Sequence, residues 1–173
     1  TNVQVCRWHP VPDAAALQRL AAAAILASAT TAIDARGGFH LVLAGGDTPR
    51  PIYRTLAAAT ADWRRWHVYF GDERCLPPDD PARNSRMASA AWLGRVPIPP
   101  DQVHAMAGEK GAFEAARRYA EVLRGLGDFD LVLLGLGEDG HTAVLFPGHE
   151  WGDASGDSPR SPDTLAVFDA PKA

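Results

Sequence analysis

The stretch FHLVLAGGDTPR, residues 39–50, decides the fold. Its first six residues form an apolar run of strand length, too short for a buried helix. Gly45 and Gly46 break that run. Thr48 then suits a helix N-cap, and Pro49 suits the first helical position. A continuously apolar strand that runs through a glycine turn into a helix is the unit of a parallel sheet covered on both faces.

The same alternation extends in both directions. Upstream, residues 3–8 predict a short first strand. Asp13 predicts the cap of a long alanine-rich helix over Ala14–Arg36, which Gly37 and Gly38 end. Downstream, the helix begun at Pro49 extends to Thr60, and WHVYFG (66–71) predicts a strand. A helix follows over 85–93, a short strand over 102–106 and an amphipathic helix over Ala112–Leu123. FDLVLL (129–134) is the most apolar strand, and 164–169 predicts a last one. Proline- and aspartate-rich loops fill 76–82 and 96–100, and a Gly/Ser/Asp/Pro loop fills 151–163. The expectation is one α/β domain over 1–173, a Rossmann-like, mostly parallel sheet with helices on both faces.

Composition narrows the function. The 173 residues carry 17 Lys and Arg against 21 Asp and Glu, a formal charge of −4, which excludes a broad nucleic-acid footprint. A local cationic pocket for a small anion remains compatible. Hydrophobic residues are 46% and charged residues 22%, so the chain can bury a core. The 31 alanines dilute helical periodicity. No uninterrupted apolar run reaches the ~18–20 residues of a membrane span, and no signal peptide is read, so no membrane partner is expected. Cys6 and Cys75, two lone cysteines, fit a reducing cytoplasm. Cys75 reads either as a reactive thiol beside Arg74 or as a small semi-buried apolar residue.

In a parallel sheet, ligands bind beyond the carboxyl ends of the strands. Three polar clusters are expected there. In the first, Gly45 and Gly46 permit close backbone approach, and the helix start with Thr48 offers donors to an anion; the plain alternative is a turn. Asp47 opposes a phosphate unless it points away. The second is Asp72, Glu73 and Arg74, either a solvated loop or a phosphate clamp built on Arg74. No metal site is read there, for lack of a histidine pair at ligand spacing. The third is the turn from Gly135 to His141. A histidine side chain titrates near neutrality in general, so the imidazole of His141 is a candidate to take a proton from water, and Asp139 can orient it. The other histidines read as structural or surface residues.

Taken together, these stretches resemble the 6-phosphogluconolactonase family. The residues that carry the resemblance are LAGGDTPRPIYRTLA (43–57), WHVYFGDERCLPPDDPARNSRMA (66–88), VPIPPDQVHAM (96–106), FDLVLLGLGEDGHTAVLFPGH (129–149) and VFDAPKA (167–173). The resemblance implies hydrolysis of 6-phosphoglucono-1,5-lactone to 6-phosphogluconate without metal or cofactor, by a cytoplasmic monomer or weak homodimer. It implies His141 as general base, Asp139 as its partner, and Gly45, Gly46, Thr48, Arg74 and Lys172 around the phosphate. Asn84 would help shape the sugar site.

The related glucosamine-6-phosphate deaminase/isomerase family shares the Asp-Gly-His turn but carries a further carboxylate beyond it. Here Phe146 stands at that place, and Arg74 stands where those enzymes tend to have an aromatic residue. Asp47, and Asp169 with Ala170 before Pro171 and Lys172, depart from the lactonase pattern. Lactonases also continue past the Pro-Lys motif, so the expected sheet lacks a C-terminal strand and helix. A sugar-phosphate-binding fragment without turnover is the alternative that this raises.

Overall fold

The computed structural model describes residues 5–148 and 163–170. Helix α1 is Ala14–Arg36, bounded as the caps predict: the Asp13 carboxylate accepts the Ala16 N–H at 2.7 Å. At its other end Gly37, at φ 78°, donates its N–H to the Ile33 carbonyl. Strand β1 (Phe39–Leu43) leads to α2 (Pro49–Ala57), and β2 (Trp66–Phe70) leads by a long loop to α3 (Asn84–Ala91). Helix α4 (Ala112–Leu123) precedes β3 (Leu131–Val132). The order in the sheet is β2-β1-β3 and both pairings are parallel, with Phe39 opposite Trp66 and Leu41 opposite Leu131.

Both faces of the sheet are covered. Phe39, Leu41 and Leu43 point with Trp66, Val68 and Phe70 into the main core, against Ala22, Ile25, Ala29 and Ala32 of α1 and residues of α2 and α3. Four large rings fill its centre. Trp66 meets Phe39 edge-on at 4.8 Å and Trp92 at 5.7 Å, and Trp63 packs 4.7 Å from Trp66. On the opposite face Val42 and Tyr69 meet Tyr119 of α4, with Phe129 and Met106 against them. Burial on both sides is why β1 reads as a continuous apolar run.

That second face also carries a ladder of rings at the amino end of the strands. His40 stacks on His67 at 4.7 Å and 6°. His104 lies 6.2 Å from His67 and stacks 4.5 Å from Tyr69.

Several elements differ from expectation. Residues 5–8 form no strand, and Val5 and Trp8 are exposed; without a paired neighbour, an apolar alternation has no ladder to join. Helix α2 stops at Ala57 rather than Thr60. The segment 102–106 contributes one parallel bridge, Val103 to Val68, beyond β2. β3 is shorter than 129–134, although Asp130 and Leu133 extend its hydrogen bonding to the His40 and Val42 carbonyls. Leu134 and Leu136 are exposed.

Residues 164–169 are not a strand either. Thr164 donates to the Ala116 carbonyl, and Phe168 rests 4.9 Å from Phe113, so the segment lies along α4. Cys75 is exposed, not semi-buried, because it sits in the loop after β2 that runs over the surface. α1 is long and apolar enough by composition to cross a membrane, which the run-length reading did not register, but four of its residues are buried in the core.

Candidate functional site

The three polar clusters leave the carboxyl ends of β1, β2 and β3, and contacts through Asn84 hold the first two together. Gly45 shows why the first needs glycine: a Cβ there would overlap the Asn84 side chain. Gly46 adopts φ 99°, a conformation that favours glycine. The turn is held from below by Tyr53, whose hydroxyl donates to the Ala44 carbonyl at 2.7 Å. Thr48 occupies the N-cap position of α2, but its hydroxyl makes no capping bond and is exposed. Asp47 is turned outward, with a side chain 95% exposed and paired to Arg50 at 3.3 Å, so its charge is offset outside the turn.

From the second cluster, Asp72 goes inward. Asn84 donates from Nδ2 to the Asp72 carbonyl at 3.0 Å and to its carboxylate at 3.1 Å. Burial lifts the Asp72 carboxyl above the usual range, opposed by the Asn84 hydrogen bond and by the charges of Arg74 and His141. Arg74 donates from Nη1 to the Ala82 carbonyl at 2.8 Å. Asn84 therefore joins the first two clusters through Gly45 and Asp72, and Asp72 lies within electrostatic reach of His141.

The third cluster is a compact turn. Gly137 donates its N–H to the His141 carbonyl at 2.8 Å, and Gly140, at φ 84°, donates to the Gly137 carbonyl. A Cβ on Gly137 would overlap the His141 ring, so glycine is what lets the imidazole fold back over the turn. There His141 Nδ1 pairs with the Asp139 carboxylate. The ring also stacks on Phe146 at 4.6 Å and 22°, and Phe146 is buried. A carboxylate on Nδ1 selects the tautomer protonated there and leaves Nε2 as the basic nitrogen. The arrangement fixes the ring between a carboxylate and a phenyl face.

Lys172 lies outside the described residues. Sequence reasoning named Asp72, Glu73 and Arg74 together but showed neither that Glu73 pairs with a buried Arg83 nor that Asp72 lies within electrostatic reach of His141. The signal for Asp72 was its place directly after an apolar strand. Among the described residues, no group of three or more His, Cys, Asp or Glu converges as a metal site. A concavity of about 480 Å3 among Leu123, Arg124, Leu126, Phe129 and Asp163 belongs to the opposite end of the sheet from these turns.

The family profile described as glucosamine-6-phosphate isomerases/6-phosphogluconolactonase matches residues 12–173. The 6-phosphogluconolactonase of a Nostoc species is 41% identical over 146 residues, covering 79% of this chain and 61% of the relative. That of a Synechocystis species is 43% identical over 127 residues, covering 68% and 53%. Among solved structures, a Thermotoga maritima 6-phosphogluconolactonase aligns with a TM-score of 0.70 at 31% identity, covering 73% of this chain and 58% of that one. The Trypanosoma brucei enzyme aligns at 0.73 and 28% identity, covering 80% and 62%. The chain thus spans about half to three fifths of the length of these relatives.

Proposed function

Because the chain belongs to the glucosamine-6-phosphate isomerase/6-phosphogluconolactonase family, we propose that it hydrolyses 6-phosphoglucono-1,5-lactone to 6-phosphogluconate. The observation that carries this reading is the pairing of His141 Nδ1 with Asp139 in a glycine turn, with the ring held flat on Phe146.

Nε2 of His141 takes a proton from water as the oxygen attacks the lactone carbonyl. The tetrahedral intermediate then collapses with cleavage of the bond to the ring oxygen, and the imidazolium returns its proton to that oxygen. Asp139 stabilises the imidazolium between the two steps. Arg74, the Gly45 and Gly46 turn, Thr48 and Lys172 bind the phosphate, with Asp47 turned away toward Arg50. No resident metal or cofactor enters this scheme, since an ester carbonyl and an activated water suffice.

Phe146 weighs against a deaminase/isomerase reaction, because a buried phenyl ring stands against His141 where that chemistry would place an acid. We place the protein in the cytoplasm as a monomer or weak homodimer without nucleic-acid or membrane partners. The formal charge of −4 supports the absence of nucleic acid.

The test is hydrolysis of freshly made 6-phosphogluconolactone by the 173-residue chain and by His141→Ala. Turnover above the spontaneous rate is expected in the parent, with a loss of about 10²–10⁴-fold in the variant. Unchanged turnover would remove His141 from the mechanism, and ammonia release from glucosamine 6-phosphate would favour the sister reaction.

A further inference from the structure

The loop between β2 and α3 contains Arg74 but has little regular structure of its own to fix it. A buried ion pair does that work. The side chains of Glu73 and Arg83 are 2% and 3% exposed, with Arg83 Nε 3.4 Å from Glu73 Oε2. Glu73 Oε1 accepts the N–H of Arg74 and the N–H of Asn84, both at 2.8 Å. Its Oε2 accepts the N–H of Ser85 at 2.9 Å. One carboxylate therefore ties the first residues after β2 to the first turn of α3.

Arg83 ties the same loop to a third segment. Its Nη1 donates to the Leu76 carbonyl at 3.3 Å and to Glu109 at 3.2 Å, and its Nη2 donates to the Met106 carbonyl at 2.5 Å. Gly108 presses on the Arg74 carbonyl so closely that a Cβ there would overlap it. The backbone of Arg74 is thus held at its N–H by Glu73 and at its C=O by Gly108. A buried ion pair is costly to desolvate and is a weak device for stability alone. What this one does is fix the backbone of two residues, Arg74 and Asn84, the second of which lies against Gly45 and Asp72.

We propose that Glu73, braced by Arg83, is a positioning residue that acts through Arg74 to set affinity for the phosphate of the substrate. The proposal rests on the lactonase reading. Glu73→Gln keeps the shape but turns an amide N–H₂ toward groups that are themselves donors. Kinetics of the full chain are measured with 6-phosphogluconolactone and with unphosphorylated glucono-1,5-lactone, for parent, Glu73→Gln, Arg74→Ala and the double variant. Glu73→Gln is expected to raise KM for the phosphorylated lactone about tenfold relative to its effect on the neutral one, with kcat much less affected. In the Arg74→Ala background it should raise KM no further, because the two act as a unit. An equal loss on both lactones, or full additivity with Arg74→Ala, would overturn the proposal.

Arg83→Lys, which keeps the charge and loses the fork, is carried through the same series in case Glu73→Gln does not fold. If neither variant folds, the pair is structural only and the proposal fails. Amide hydrogen exchange separates this result from the reading beneath it. Exchange at Arg74, Asn84 and Ser85 should quicken in the variant while β1 is unchanged, whether or not the parent turns over lactone. Unaltered exchange at Arg74 would overturn the brace, whereas an inactive parent with quickened exchange would count against the lactonase reading alone.

Discussion

Arg74 reaches the Ala82 carbonyl through one of its guanidinium nitrogens, within a loop whose backbone is pinned on both sides. A charge-assisted hydrogen bond lost to a phosphate costs about 1.5–3 kcal/mol, so Arg74→Ala is expected to raise KM for the phosphorylated lactone about 10- to 100-fold. Steady-state kinetics with phosphorylated and neutral lactones check this; an equal effect on both would remove Arg74 from phosphate recognition. Residue pairings were legible where they are local. Asp139 and His141 stand two apart in a glycine turn, and the structure pairs them. Glu73 and Arg83 are separated by a proline-rich loop, and nothing in the spacing shows that they meet. Asn84 came only through the family resemblance, and its fit against Gly45 depends on how two strands lie side by side.

At the scale of elements, Tyr119 couples α4 to the sheet. Its hydroxyl accepts the Phe70 N–H and donates to the His104 carbonyl, each at 2.9 Å. Tyr119→Phe leaves the Phe70 N–H buried without a partner, a loss of about 1–3 kcal/mol. Urea unfolding should show a lower midpoint with an unchanged slope; an unchanged midpoint would mean that water replaces the hydroxyl. Helix α1 could be read to its last residue because its ends are written locally, in Asp13 and Gly37. Strands could not. The run 164–169 has the composition of a strand, yet a strand exists only where a neighbour offers a ladder, and here Thr164 and Phe168 engage α4 instead. β1 was legible because burial on both faces leaves a continuous apolar run.

The fold places a ladder of stacked histidines at one end of the sheet and its candidate chemistry at the other. Burial depresses the His67 and His104 pKa values below the ordinary 6.5, with the charge of His40 adding to it in both and His104 adding to it at His67. Asp101 pulls both the other way. Tyr69 and the Asp130–Arg36 pair stand beside His40. Below pH about 6.5 the unfolded chain takes up protons that the folded His67 and His104 resist. This stabilising contribution is therefore full above pH 6.5 and is lost as pH falls from there through the depressed folded values. Thermal melts between pH 7.5 and 5 should show a declining Tm, and His67→Phe should flatten that decline; a parallel decline in the variant would place the titration elsewhere.

The close approach of Gly45 to the Asn84 amide has a consequence for inheritance. Two codons far apart in the gene share one small volume, so neither can drift alone. In a library randomised at both positions and selected for folded protein, any side chain larger than hydrogen at 45 should survive only beside a trimmed residue at 84. Such survivors would also give up the amide that holds Asp72, so they should be rare even as pairs. Recovery of Gly45→Ala with Asn84 intact would show that the two loops can part without harm.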